Sequence, residues 1–132
     1  MAPPMAAEVL GREPFTIADL AGELAWSDGT DIGLVEGAGG PRSPLAADGD
    51  TVDLARSIGA DAVVLVADAG LGTINAVRLA HAALETIAPV TVVLNRFDAA
   101  DDLHQRNREW LATRAGMDVT VAIEELASRV GP

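Results

Sequence analysis

Apolar residues follow two patterns along the chain. Short aliphatic runs rich in valine alternate with stretches in which apolar side chains recur every three to four positions. The runs predict strands covered on both faces, and the spaced stretches predict amphipathic helices. The predicted strands cover residues 31–35, 62–67, 90–94 and 118–121. The predicted helices cover residues 3–10, 16–25, 51–58, 73–87, 101–114 and 123–130, and residues 40–49 are predicted to form a loop.

The alternation of strands and helices predicts an α/β fold with a mainly parallel sheet. With 132 residues, the chain is expected to form a single domain over residues 1–132. A net charge of −11 and the lack of a basic run argue against nucleic acid or an anionic membrane as partner. The apolar runs are too short to span a bilayer, and the first residues lack the features of a signal peptide. We therefore expect a cytoplasmic protein that binds small molecules.

The basic residues of the chain exclude a phosphate site of the Walker A type. All nine are arginine, and the chain contains no lysine. A Walker A loop requires a lysine that reaches the phosphates of the nucleotide, so this chain cannot contain one. The chain also lacks cysteine, which excludes disulfides, thiolate metal sites and a cysteine nucleophile.

A first candidate site follows the first predicted strand. Glu36 stands where that strand would end, and Gly37, Ala38, Gly39 and Gly40 come directly after it. In an open α/β sheet, ligands bind beyond the carboxyl ends of the strands. An acid followed by exposed backbone amides suits a metal ion that bridges to phosphate. The alternative is a glycine turn beside a solvated acid.

A second candidate site lies between the next predicted strand and helix. Gly72 precedes the helix, and Thr73, Ile74 and Asn75 form its first turn. Backbone amides at a helix N-terminus, with the partial positive charge of the helix, can bind a carboxylate or a phosphate. The alternative is that Thr73 only caps the helix and the glycines only make the turn.

A third candidate is Asn95, which ends the strand predicted at 90–94. Its carboxamide offers a donor and an acceptor, which suits the edge of an adenine base, although a turn residue is the simpler interpretation. His81 and His104 are isolated in sequence, and packing or surface roles are expected for both.

Three segments share their order and spacing with the motifs of one enzyme family. They are VEGAGG at 35–40 followed by Pro44 and Leu45, LGTIN at 71–75, and VVLN at 92–95. In these segments the chain resembles dethiobiotin synthetases, and the resemblance extends over residues 1–95.

The resemblance implies a fold and a reaction. The fold is a three-layer α/β structure similar to that of P-loop NTPases, here with the first strand and the P-loop missing. The family acts as a homodimer in biotin biosynthesis. It uses ATP and Mg²⁺ to join carbon dioxide to 7,8-diaminononanoate, which closes the ureido ring of dethiobiotin.

The resemblance also implies roles for the candidate residues. Glu36 would bind Mg²⁺, and the amides of residues 37–40 would line the phosphate and carbamate groups. Residues 72–75 would bind the substrate carboxylate at the helix N-terminus, across the dimer interface. Asn95 would contact adenine. No residue is assigned a catalytic role.

The chain departs from the family pattern in ways that change the expected activity. The lysine-bearing P-loop segment is absent, and Ala76 stands where the family usually has a histidine. We therefore expect the chain alone to be incomplete as an ATP-dependent ligase, with unpaired sheet edges. It would be a fragment of an ordinary synthetase, or work with a separate chain that supplies the P-loop. Alternatives are a non-catalytic binding or dimerisation module and an amidoligase of the cobyrinate amidation type.

Overall fold

A computed structural model describes residues 1–130 of the chain. Contacts divide these residues into two compact units, 1–60 and 61–130. That the chain forms one domain stays a prediction. Within residues 1–130, no helix is both long enough and apolar enough to cross a membrane.

The first unit contains three short helices and a hairpin. Its elements are α1 (Pro3–Val9), α2 (Ile17–Gly22), β1 (Pro44–Ala46), β2 (Gly49–Asp50) and α3 (Thr51–Ser57). The two strands pair antiparallel and include residues 44–46 and 49 of the segment predicted to be a loop, so the loop prediction is wrong for those residues. The core of the unit joins α2, β1 and α3 through Ile17, Leu45, Ala46 and Leu54.

Capping residues fix where α2 and α3 begin. Thr16 and Asp19 form a capping box at α2, and Asp50 and Asp53 form one at α3. In each box, the two side chains satisfy backbone donors that the helix itself leaves free. The helix predicted at 16–25 is therefore confirmed with Thr16 as its N-cap, although α2 ends earlier than predicted.

The prediction of a strand at 31–35 is wrong. Residues 32–37 have no regular secondary structure. Leu34 is 82% exposed. A strand needs a neighbour for its backbone hydrogen bonds, and none of residues 1–130 pairs with this segment. The aliphatic pattern identified a segment with strand propensity, but propensity alone does not form a strand.

The second unit is built on a parallel sheet. Its elements are β3 (Val63–Asp68), α4 (Thr73–Leu84), β4 (Val90–Asn95), α5 (Asp102–Glu109), β5 (Asp118–Thr120) and α6 (Ile123–Val130). The strand order is β3-β4-β5. Both pairs are parallel. The central strand β4 is buried from Val90 to Leu94, as predicted for an unbroken aliphatic run. The α/β fold class with a parallel sheet is thus confirmed.

The helix predicted at 101–114 has two parts. Its first part is α5, and residues Trp110–Arg114 continue it as one π-helical turn. The wider turn is closed by the Ala115 amide, which donates to the Trp110 carbonyl. Such turns insert one residue into a helix and shift the side chains that follow around its axis.

Candidate functional site

The glycine loop after Glu36 packs against the beginning of α3. A Cβ atom built on Gly37 would lie 2.3 Å from the Thr51 hydroxyl oxygen, so a side chain does not fit there. Gly39 has φ of +90°, a conformation that glycine adopts without strain. The loop therefore needs glycine at both positions. Glu36 is exposed, and its carboxylate has no hydrogen-bond or ion-pair partner among residues 1–130.

The amides of this loop are not all available to a ligand. The Gly40 amide donates to the Ser43 hydroxyl at 3.1 Å. In the described part of the chain, the amides of residues 37–39 have no acceptor. The predicted anion site is thus reduced to three open amides unless Ser43 turns away.

The arginine nearest in sequence to this loop is engaged. Arg42 forms an ion pair with Asp50 at 2.9 Å. Asp50 also accepts hydrogen bonds from the amides of Val52 and Asp53 as the N-cap of α3. Because its charge is balanced by this carboxylate, Arg42 offers little to a phosphate.

The described residues contain no cluster of three or more acidic, histidine or cysteine side chains that could hold a metal ion. Mg²⁺ typically binds proteins through one or two carboxylates and keeps water and substrate phosphates as its other ligands. The single exposed carboxylate of Glu36 fits that mode and does not fit a metal cage made by protein alone.

In the second unit, the N-terminus of α4 is open. Its N-cap is Gly72, with φ of +89° and no side-chain cap. The amides of Ile74 and Asn75 have no acceptor among the described residues. The twelve residues of α4 give the helix N-terminus a partial positive charge. These two open amides and this charge can bind a carboxylate.

Two buried side-chain oxygens lack a hydrogen-bond partner in residues 1–130, and each belongs to the first residue of a helix beside a glycine loop. One is the Thr73 hydroxyl, in the first turn of α4, in a residue only 5% exposed. The other is the Thr51 hydroxyl, which borders Gly37. Buried polar atoms are almost always paired, so two exceptions at candidate sites point to groups that a ligand could satisfy.

The position of Thr73 bears on one part of the alternative interpretation of the second site. The sequence left open whether Thr73 merely caps the helix. Gly72 is the N-cap, and the Thr73 hydroxyl accepts from no backbone amide. A capping role is therefore excluded, and the hydroxyl is free for another partner.

The ends of β3 and β4 lie side by side. Asp68 and Asn95 are partners in the parallel register. Asn95 is exposed, and its side-chain oxygen accepts from the Arg96 amide at 3.0 Å, while its amide nitrogen donates to no described residue. Arg96 has φ of +54° and reaches Asp68 at 3.3 Å. Asn95 can therefore still donate to a ligand at this edge.

One buried polar residue near the second site was not predicted. Asn107 on α5 donates to the carbonyls of Ala69 and Gly70. The sequence signal was present, since Asn107 is spaced four residues from both Leu103 and Leu111. An asparagine on the apolar face of an amphipathic helix needs a buried partner, and that spacing could have identified it.

Comparison with known proteins places the chain in a family. A family model described as an AAA domain matches residues 1–131. The chain therefore belongs to this AAA-domain family.

The chain is also similar to proteins named ATP-dependent dethiobiotin synthetase BioD. It is 45% identical to the one from Mycobacteroides abscessus over 103 residues, which cover 75% of this chain and 45% of the relative. It is 38% identical to the one from Rhodococcus jostii over 135 residues, covering 98% of this chain and 58% of the relative.

These matches confirm the resemblance to dethiobiotin synthetases. The chain spans about half the length of the relatives it matches. No solved structure matches it significantly.

Proposed function

We propose that this chain is the part of an ATP-dependent dethiobiotin synthetase that binds the substrate carboxylate and one side of the magnesium nucleotide. The observation that carries the proposal is the open N-terminus of α4, where two amides and the buried Thr73 hydroxyl lack partners. The names of the relatives supply the reaction, an ATP-dependent synthesis of dethiobiotin.

In this proposal, α4 holds one end of the substrate. The carboxylate of 7,8-diaminononanoate accepts from the backbone amides of Ile74 and Asn75, from the Thr73 hydroxyl and from the exposed Asn75 carboxamide. This leaves the two amines at the far end of the substrate free for ring closure, which is driven by phosphoryl transfer from ATP. Glu36 contributes one ligand to Mg²⁺, and the amide nitrogen of Asn95 donates to adenine.

The chain does not supply the cations that phosphoryl transfer needs. It contains no lysine, and Arg42 is paired with Asp50. The phosphates require positive charge on several sides as the transition state develops. We therefore infer that a lysine-bearing P-loop comes from another polypeptide or from a longer form of this protein. The proposed assembly is a cytoplasmic homodimer.

Turnover and binding test this proposal separately. The purified chain is incubated with ATP, Mg²⁺, bicarbonate and 7,8-diaminononanoate, and we expect substrate binding in calorimetry without formation of dethiobiotin. Asn75→Ala, which removes the exposed carboxamide of the first turn, should weaken binding, while Gln105→Ala on α5 should not. Dethiobiotin formed by the chain alone would overturn the inferred need for a P-loop. Equal binding by Asn75→Ala would remove this side chain from the substrate site.

A second candidate is a binding module without catalysis. It is favoured by the neutralised Arg42 and by the lack of lysine. The two candidates differ when a chain carrying the P-loop segment of a relative is added. A synthetase fragment gains dethiobiotin synthesis, and a binding module does not.

A further inference from the structure

Asn107 connects α5 to the loop that precedes α4. Its side-chain nitrogen donates one hydrogen to the Ala69 carbonyl and one to the Gly70 carbonyl, each at 2.9 Å. Asn107 is only 6% exposed, and Ala69 is fully buried. Since both donors of one carboxamide are used on two successive carbonyls, the side chain fixes the orientation of the peptide between them.

The same loop is held from its other side. The Gly70 amide donates to the Asp68 carboxylate at 2.8 Å. The Thr73 amide reaches the Gly70 carbonyl at 3.4 Å, and α4 begins there. Gly70 is therefore the link between Asn107 and the first turn of α4. A shift of this peptide would be carried into the amides of the helix N-terminus.

The helix that carries Asn107 is itself well anchored. Asp101 caps α5 by accepting from the amides of Leu103 and His104. His104 accepts the Asp98 amide at its Nδ1 atom, at 3.0 Å. Leu111, one turn beyond Asn107, is fully buried. This anchoring gives Asn107 a rigid base from which to hold the loop.

We propose that Asn107 is a positioning residue for the ligand site at the N-terminus of α4. It holds the β3–α4 loop so that the amides of Ile74 and Asn75 keep the direction that a carboxylate requires. The identity of the ligand rests on the function proposed above. The contact between Asn107 and the loop does not depend on that function. It assigns a role to a residue after Asn95, in a segment where no motif was identified.

The chemistry of this contact is specific to asparagine. Aspartate has almost the same shape, but its oxygens cannot donate to two carbonyls and would repel them. Alanine removes the donors and leaves the Ala69 carbonyl buried without a partner. Both substitutions should release the loop, and Asn107→Asp should do so more strongly.

The test compares Asn107→Ala and Asn107→Asp with Val119→Ala, which removes buried volume on β5 without touching the loop. Hydrogen exchange is followed in peptides covering 68–77 and 90–95, together with the melting temperature. Calorimetry measures binding of 7,8-diaminononanoate and, separately, of a non-hydrolysable ATP analogue. We expect both Asn107 variants to exchange faster in 68–77 only. Their affinity for the substrate should fall about tenfold, as for the loss of one good hydrogen bond, with nucleotide affinity unchanged.

Each possible outcome supports or overturns either the role of Asn107 or the function proposed for the chain. If Val119→Ala lowers substrate affinity and protection of 68–77 as much as Asn107→Ala at equal loss of melting temperature, the role is structural only and the proposal fails. If the unaltered chain binds no diaminononanoate, the proposed function fails instead. In that case the exchange data alone decide whether Asn107 holds the loop: selective loss of protection in 68–77 supports it, and unchanged protection overturns it.

Discussion

At the scale of single residues, the threonine hydroxyls at 73 and 51 carry more information than the glycine motifs near them. Glycine loops and helix N-termini are common, and each has a purely structural interpretation. A buried hydroxyl without a partner costs folding free energy, and folding alone gives no reason to keep it. One such hydroxyl lies beside each of the two glycine loops, since Thr51 borders Gly37 and Thr73 follows Gly72.

Thr73→Val should have opposite effects on stability and binding. Valine keeps the shape of threonine and removes the unsatisfied oxygen, so the free energy of unfolding should rise by about 1 kcal/mol. Affinity for 7,8-diaminononanoate should fall, because a donor to its carboxylate is lost. Urea unfolding and calorimetry measure the two effects. A variant that is destabilised and binds normally would show that the hydroxyl serves the fold.

Gly37→Ala tests the contact of the first loop with α3. The added methyl group would lie 2.3 Å from the Thr51 oxygen, so the loop must move, at a cost of about 1–3 kcal/mol. In the double variant Gly37→Ala/Thr51→Ala, the shortened side chain at position 51 leaves room for the added methyl group. Part of the lost free energy of unfolding should therefore be recovered. The four variants of this cycle are compared by urea unfolding. Additive effects of the two substitutions would mean that the two residues do not meet.

At the scale of elements, α6 is attached to the sheet through charged and polar side chains. Glu125 accepts from the Thr120 hydroxyl on β5, and Arg129 pairs with both Glu125 and Asp118. The hydrogen bond from Thr120 and, after it, the bond from Arg129 lower the pKa of Glu125 below its ordinary value. Deprotonated Glu125 therefore favours the docked helix.

Acid should weaken this attachment. Because the pKa of Glu125 is lowered in the folded state, its contribution is complete above the ordinary pKa of glutamate and is lost as pH falls through the lowered pKa. Glu125→Gln should flatten the fall in melting temperature between about pH 6 and pH 3. The matched control is Glu124→Gln, whose carboxylate has no partner among residues 1–130. If both variants keep the same slope, Glu125 has no special role.

Elements differ in how well the sequence predicts them. Helices with capping residues, such as α3, and strands with neighbours on both sides, such as β4, follow from local pattern and composition. Segment 31–35 has the composition of a strand, but a strand depends on a partner that local sequence does not encode. The hairpin at Pro44–Asp50 was missed because its strands are only two and three residues long. The first error thus came from a missing tertiary partner, and the second from strands too short for a pattern to show.

At the scale of the whole molecule, the chain contributes an incomplete set of groups to the proposed reaction. It offers open amides, one exposed carboxylate at Glu36 and the carboxamide of Asn95. Its net charge is −11, and it has no lysine with which to balance nucleotide phosphates. The sequence motifs indicated the positions of these groups along the chain. They did not predict that Gly40 and Arg42 are engaged, or that Asn107 holds a loop, because those facts depend on side-chain contacts.

The most direct test of the central claim is an NMR titration of the chain with 7,8-diaminononanoate. We expect saturable shifts of the Ile74 and Asn75 amide signals, and no such shifts with the methyl ester of the same compound, which lacks the carboxylate. Equal shifts with the acid and the ester, or shifts confined to residues outside the first turn of α4, would contradict a carboxylate site at the N-terminus of this helix.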